Sequence, residues 1–291
     1  MAVTYIIAEA GTNHAHPNYS ERIQRVIDLI KAAARTGANA VKFQAFFPDE
    51  PLFCPLPGDD RRRARWDESY LAEVDWEEGF ELARDTGIDF LLSVFQPRGI
   101  AMLKRLRPKF IKVASRAKLS FPYKMFAAAE FLVSSDKPLC HLAKNLHDPG
   151  YYEPFSAAFL GGQTGDDYRN TVQNLYCLPI YPAPLGAMKL QSKMRNHNGM
   201  VHIDSWLGES CIPTVFMGYT LPCPGGWKYH GLSDHSGVVW PGLAAIFDGA
   251  KFLEVHFNLG DFDAGPDKPV CLTTDQLKLL CEARDAAAKM R

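Results

Sequence analysis

The residues with most chemistry in this chain are two histidines. His235 closes the run Leu232-Ser233-Asp234-His235, and His256 closes Phe252-Leu253-Glu254-Val255-His256. Each ends an apolar, strand-like run and stands beside a carboxylate, Asp234 in one case and Glu254 in the other. Two imidazoles completed by oxygen ligands suit a divalent first-row ion such as manganese, iron, cobalt or zinc. Asp267, in Gly265-Pro266-Asp267, follows on the next loop and could add an oxygen directly or through water. Lys42 and Lys112 lie inside the apolar runs Ala40–Phe46 and Phe110–Ala114, where a lysine is costly unless paired or used. One reading is a buried ion pair with Glu9 or Glu254. Another is capture of a phosphate or carboxylate, because an ammonium in a dry mouth holds an anion strongly. A Schiff-base lysine is a third, less natural where a metal can already polarise a carbonyl.

The elements that must carry these residues alternate along the whole chain. Strands are expected at Tyr5–Ala10, Ala40–Phe46, Asp89–Phe95, Phe110–Ala114, Pro138–Ala143, Asn174–Leu178, Gly231–Asp234 and Phe252–Phe257. Helices are expected at Ser20–Arg35, Asp75–Thr86, Arg98–Leu106, Pro122–Phe131, Trp240–Asp248 and Thr274–Met290. In Ser20–Arg35, Ile23, Val26, Ile27, Ile30 and Ala34 recur on one helical face. Gly37, Gly87 and Gly249 stand where a helix should stop. Strands alternating with helices argue for a parallel sheet closed as a (β/α)8 TIM barrel, an α/β fold in one domain spanning residues 1–291. A doubly wound open sheet usually places a glycine-rich phosphate turn after its first strand, and Glu9-Ala10-Gly11-Thr12-Asn13-His14 is not one. Phe47–Trp66, Asn145–Asp167 and Met200–Tyr229 read as long inserted loops, the last with a strand-like Pro213–Met217; such loops often cover an active site.

In a barrel the chemistry gathers at the carboxyl ends of the strands. Those ends offer Glu9, Asn13 and His14; Lys42 and Gln44; Ser93; Lys112 and Ser115; His141 and Lys144; Tyr181; Ser233 to His235; and Glu254 with His256. Together they outline a polar, partly cationic mouth.

Composition narrows the partners. With 32 basic and 33 acidic residues the formal net charge is -1, which gives no reason to expect nucleic acid or an acidic membrane. Arg61-Arg62-Arg63-Ala64-Arg65 sits among Asp59, Asp60, Asp67 and Glu68 and reads as a solvated loop or helix edge. No apolar run approaches the roughly 18 residues that span a bilayer, and no leader-like segment precedes Tyr5. The seven cysteines are scattered with no Cys-x-x-Cys pair, so a reduced cytoplasmic protein is expected, its cysteines serving as small core residues.

The same stretches resemble the sialic acid synthase family, which also makes related nine-carbon sugar acids. They are Ile6 to His14, Gly37 to Gln44, Ile111-Lys112-Val113-Ala114-Ser115, Tyr181-Pro182-Ala183-Pro184, Leu232 to Gly237, Gly249 to Phe257 and Gly265-Pro266-Asp267. They occur in family order over most of the chain. The resemblance implies a barrel that adds phosphoenolpyruvate to the open-chain aldehyde of an amino sugar, with loss of phosphate. It matches the metal ligands to His235 and His256 and the anion-binding lysines to Lys42 and Lys112, with Ser115 beside the second. Gln44, Glu254 and Asp267 match positions facing the sugar, the metal or the attacking water. The expected catalytic set is thus Glu9, Lys42, Lys112, Glu254 and Asp267. Substrate contacts are expected from Asn13, Gln44, Ser93, Ser115, Arg116, Lys144, Tyr181 and Asp234. The partners implied are small molecules, an enolpyruvate donor and a sugar aldehyde, with a homodimer possible.

Departures from the family pattern cluster at the phosphate end. Ser93-Val94-Phe95 stands where a Ser-Thr-Pro-like turn is usual, Leu142-Ala143-Lys144 where Ser-Thr-Gly is usual, and Pro179 where an asparagine is usual. Ala117, next to Arg116, replaces a sugar-contacting glutamate. Three lost contacts, at about 1 kcal/mol or more each, weaken ordinary phosphoenolpyruvate binding, unless Lys144 or Arg116 compensates. The family usually continues into an antifreeze-like domain that sends an arginine to the neighbouring site. Here the sequence runs to Arg291, and the insertions at 47–66 and 200–229 are expected to cover the site instead. Two other readings stay open: an aldolase, lyase or isomerase acting on a different oxyanion, and a non-catalytic sugar- or anion-binding relative.

Overall fold

The protein is described from a computed structural model, which covers residues 3–52, 58–114, 129–134, 172–177, 181–185, 194–197, 200–203, 228–229, 231–260 and 262–290. Strands β1 (Tyr5–Gly11), β2 (Ala40–Ala45), β3 (Asp89–Val94), β4 (Phe110–Val113), β5 (Ala129–Ser134) and β6 (Val172–Cys177) come first. Three short strands, β7 (Met194–His197), β8 (Met200–Ile203) and β9 (Lys228–Tyr229), form a separate antiparallel sheet around the third insertion. Strands β10 (Gly231–Asp234) and β11 (Phe252–His256) follow. The main sheet closes in the order β1-β11-β10-β6-β5-β4-β3-β2, a barrel of eight strands.

One of the eight departs from the expected order. β5 runs antiparallel to both β4 and β6, and it occupies residues that include the end of the helix expected at Pro122–Phe131. The alanines of that stretch suit a helix, but Phe131-Leu132-Val133 suits a strand, and pairing on both edges decides in favour of the strand. The strand expected at Pro138–Ala143 lies outside the described residues, as does Pro213–Met217.

The other described helices outside the insertions match their sequence signals. α1 (Tyr19–Thr36) starts where the Asn18 side chain accepts the Ser20 N–H, and ends at Gly37, whose φ of 83° suits the left-handed conformation glycine takes freely. Among the described residues α3 (Glu73–Thr86), α4 (Pro97–Leu106), α5 (Trp240–Asp248) and α6 (Thr274–Lys289) also belong to the outer layer. α2 (Asp60–Ser69) is a helix within the stretch expected to be a loop. Its Trp66 stacks on Phe46 at 4.7 Å, and Phe46 on Phe95 at 4.6 Å, which seats α2 over the ends of β2 and β3. Arg61, Arg62 and Arg63 are exposed as a solvated helix edge, while Arg65 turns inward.

Alternation along the strands sorts residues to two sides of the barrel wall. Ile6, Ala8, Val41, Phe43, Phe90, Leu92, Leu253 and Val255 belong to the large core shared with helix residues such as Val26, Ile30 and Leu277. Ile7, Ala40, Leu91, Leu175 and Phe252 form a second cluster, joined by Tyr5 and Phe110. This second cluster is the floor of the barrel interior. Two residues further along each strand the inward positions become polar: Glu9, Lys42, Ser93, Lys112, Ser233 and Glu254, all buried. Among the described residues no helix is long and apolar enough to cross a membrane.

Candidate active site

The strand register stacks the polar residues in layers. Glu9 is level with Lys42 on one side and with His256 on the other. Gln44 is level with Ser93, and Ser93 with Lys112. Glu254 is level with Ser233. Lys42 forms a close ion pair with Glu9 and lies 3.8 Å from Glu254. Lys112 Nζ meets Glu254 Oε1 at 2.5 Å, and the Ser233 hydroxyl donates to the same oxygen at 3.2 Å. Lys42 donates to Ser93 Oγ at 3.3 Å, and Gln44 Nε2 to Glu9 Oε1 at 3.2 Å. Among the described residues, two lysines and two glutamates thus form one buried network, so the lysines are ion-paired as one reading of the sequence expects. Burial pushes the Glu9 carboxyl up to about 7, opposed by Lys42 and reinforced by the like charge of Glu254. Among the described residues Glu254 Oε2 accepts no hydrogen bond, which leaves it one acceptor site for a proton or a ligand donor.

Two residues beyond Ser233 and Glu254 along their strands stand His235 and His256. The ring centres of His235 and His256 are 5.1 Å apart. The Tyr181 hydroxyl is 3.1 Å from His235 Nε2, its ring stacks on that imidazole at 4.5 Å, and Cys177 Sγ lies 3.6 Å from His235 Nδ1. Asp267 Oδ2 approaches His256 Nδ1 to 3.7 Å. Burial raises the pKa of Asp267, with His235 and Arg65 opposing the rise. Gly11 makes this crowding feasible. Its φ is +52°, and a Cβ there would come within 3.2 Å of Asp267 Oδ2 and 3.3 Å of Glu9 Oε1.

Ring centres 5.1 Å apart are compatible with both imidazoles ligating one ion at about 2.1 Å. Among the described residues no three His, Cys, Asp or Glu side chains close on a common point. His235 and His256 are the side chains that would hold such an ion, with its remaining ligands left to water or substrate oxygens.

Other expected contacts are placed differently. Asn13 is buried, and its Nδ2 donates to the Phe257 carbonyl at 2.9 Å, which ties the end of β1 to that of β11. Both Asp234 oxygens are engaged by Ser236, through its N–H at 2.9 Å and its hydroxyl at 3.0 Å. Burial lifts Asp234 to about 6 in spite of those bonds. Ser115, Arg116 and Lys144 lie outside the described residues, as do Ala117, Leu142 and Pro179. Val94, at the usual threonine position, packs toward α4: a Cβ on Gly99 would lie 2.6 Å from Val94 Cβ. Sequence reasoning gave Ser233 no role of its own and did not name Cys177. Counting two residues along the strand from an inward-facing neighbour could have found both, because period two puts Ser233 with His235 and Cys177 with Leu175.

A profile of the NeuB family matches residues 29–131 and 225–291. The chain belongs to the NeuB family. Among curated relatives, the N,N'-diacetyllegionaminic acid synthase of Campylobacter jejuni is 27% identical over 293 residues, covering 97% of this chain and 75% of the relative. The synthase of the same name from Legionella pneumophila is also 27% identical, covering 97% of this chain and 72% of its own length. Among solved structures, the N-acetylneuraminic acid (sialic acid) synthetase of Leptospira borgpetersenii superposes with a TM-score of 0.62 at 18% identity, over 99% of this chain and 85% of that one. That likeness supports the barrel fold. The family is the one whose motifs the sequence resembles, and it is a family of carbon–carbon bond-forming enzymes.

Proposed function

We propose that this NeuB-family chain condenses an enolpyruvate donor, phosphoenolpyruvate, with the open-chain aldehyde of an amino sugar, giving a sialic-acid-like 2-keto-3-deoxy sugar acid and phosphate. The observation that carries this reading is that two buried lysines and two buried imidazoles share the carboxyl ends of the barrel strands, with Glu9 in register with both Lys42 and His256. Relatives named as legionaminic acid synthases support the same reading.

In that reaction the donor methylene carbon bonds to the aldehyde carbon, water adds to the donor's central carbon, and the bond from that carbon to the phosphate oxygen breaks. Lys42 and Lys112 exchange their carboxylate partners for the donor's phosphate and carboxylate, anions that a point cation in a dry site holds well. Glu9 and Glu254, released from the lysines, become acceptors for protons and sugar hydroxyls. Gln44 and Asp267 face the same space beside Gly11 and orient the adding water and the aldehyde. Tyr181, at the rim, stacks over His235 and closes the site toward solvent. When bound by His235 and His256, a divalent ion such as manganese supplies Lewis acidity toward the aldehyde oxygen.

The test is release of phosphate from phosphoenolpyruvate with a panel of N-acetylated amino sugars. Turnover is expected only with a divalent ion. His235→Ala should lower it on the order of 1000-fold, the rate equivalent of several kcal/mol. No binding and no turnover with any aldose would remove the donor assignment. The sequence departures at Val94, Leu142 and Pro179 favour a second reading, an aldolase, lyase or isomerase step on a different oxyanion. Turnover of a non-phosphorylated keto acid would select that reading.

A further inference from the structure

We propose that Arg65 is a positioning residue, a guanidinium latch that ties α2 and the end of β1 to the loop carrying Asp267. The proposal rests on the reading of Asp267 as part of the reacting site. Arg65 is a nearly buried arginine in a helix whose neighbouring arginines are all exposed. Its Nε donates to Thr12 Oγ1 at 3.3 Å and its Nη2 to the Thr12 carbonyl at 2.8 Å. On the other side Nη1 donates to Asp263 Oδ2 at 3.0 Å and Nη2 to the Asp263 carbonyl at 2.5 Å. The planar fork thus spans two segments 251 residues apart, since Thr12 and Asp263 differ by that number.

The Asp263 side chain is largely exposed, so solvent screens its charge, and the two carbonyl contacts are the more durable half of the latch. From Asp263 the order passes directly toward the site. Its other oxygen accepts the Gly265 N–H at 2.9 Å, and the Asp267 N–H donates to the Ala264 carbonyl at 3.1 Å. These bonds open the short 3-10 helix Gly265–Val270, which carries Asp267. Gly265 has a φ of +54°, and a Cβ there would meet Arg65 Nε at 3.2 Å, so the guanidinium lies directly over this turn. Trp66, the next residue, anchors the helix in the Phe46–Phe95 stack. The insertion over the mouth therefore fixes the placement of an acid beneath it.

Hydrogen exchange on the full chain tests the latch without any substrate. Arg65→Gln should speed exchange at Gly265 and Asp267 by about tenfold or more, while β1, β2 and β3 keep their wild-type rates. Arg65→Lys, which retains a charge but not the fork, should fall between. If Arg65→Gln does not fold, the intermediate rise expected of Arg65→Lys at Gly265 and Asp267 carries the test. In turnover, Arg65→Gln should lower kcat by roughly 10- to 100-fold with the donor KM nearly unchanged, as expected for a misplaced group. Combined with Asp267→Asn it should lower kcat no further than Asp267→Asn alone. Wild-type exchange at Gly265 and Asp267, or losses that multiply in the double variant, would overturn the proposal. A chain that turns nothing over would refute the reaction while the exchange result still decides the latch.

Discussion

Two adjacent layers of the barrel interior differ by a step of two residues along each strand. Ile7, Ala40, Leu91 and Phe252 form the floor, and Glu9, Lys42, Ser93 and Glu254 lie above them. Both layers are buried, and both are held by the same backbone register. The floor is apolar and contributes through close packing. The upper layer takes two ammoniums and two carboxylates out of water, a cost that their mutual attraction only offsets when the geometry is good. The contrast teaches that the barrel separates its tasks by height, with stability below and recognition above.

The sharpest way to break this contrast is to unbalance the upper layer. Lys42→Met leaves the Glu9 carboxylate without its closest cation and should cost about 3–5 kcal/mol in urea unfolding. Adding Glu9→Leu should restore most of that stability, because an apolar pair of similar volume removes the buried charge from both sides. Neither variant should turn over substrate. A single variant as stable as the wild type would show that the layer is not held by charge.

The floor should respond in the opposite way. Leu91→Ala removes buried methyl groups from a packed cluster and should cost about 3 kcal/mol, within the usual range for such cavities. Activity per folded molecule should stay near wild type, measured as kcat after correction for the folded fraction. A large loss of kcat at unchanged folding would mean that the two layers are mechanically coupled.

Much of this division was legible in the sequence, for a physical reason. Period-two alternation is local, so a lysine or glutamate inside Ala40–Phe46 or Phe252–Phe257 announces an inward polar position by its place in the run alone. The pairing of His235 with His256 was legible for the same reason, because adjacent strands place equivalent ends together. What escaped depends on contacts distant in sequence. Nothing local to Arg65 distinguishes it from Arg61, Arg62 or Arg63; only the arrival of Asp263 and Thr12 does so. Likewise Ala129 to Phe131 reads as helix until strands on both edges claim its backbone.

A control outside the interior asks whether burial of a polar group by itself marks chemistry. His14, on the turn after β1, is fully buried, packed edge-on against Trp76 and Phe43, with Nε2 2.8 Å from the Ser69 carbonyl. That contact makes Nε2 the donor of a neutral ring and fastens α2 to the turn. Burial lowers its pKa from 6.5 to about 4, with the Ser69 bond opposing and the nearby arginines adding to the effect. The unfolded chain therefore binds a proton below about pH 6.5 that the folded chain refuses until about pH 4, so stability falls as the pH drops through that window. At pH 5 the loss relative to pH 7 should be roughly 2 kcal/mol from this residue. His14→Gln retains a donor for Ser69 but cannot titrate, so its unfolding free energy should fall less between pH 7 and pH 5 by about that amount. If the two proteins lose stability in parallel, His14 is protonated in the fold. If instead the pH slope flattens while kcat at pH 7 holds, His14 is a buried polar residue that serves structure alone, and the charged layer inside the barrel is the one set apart for chemistry.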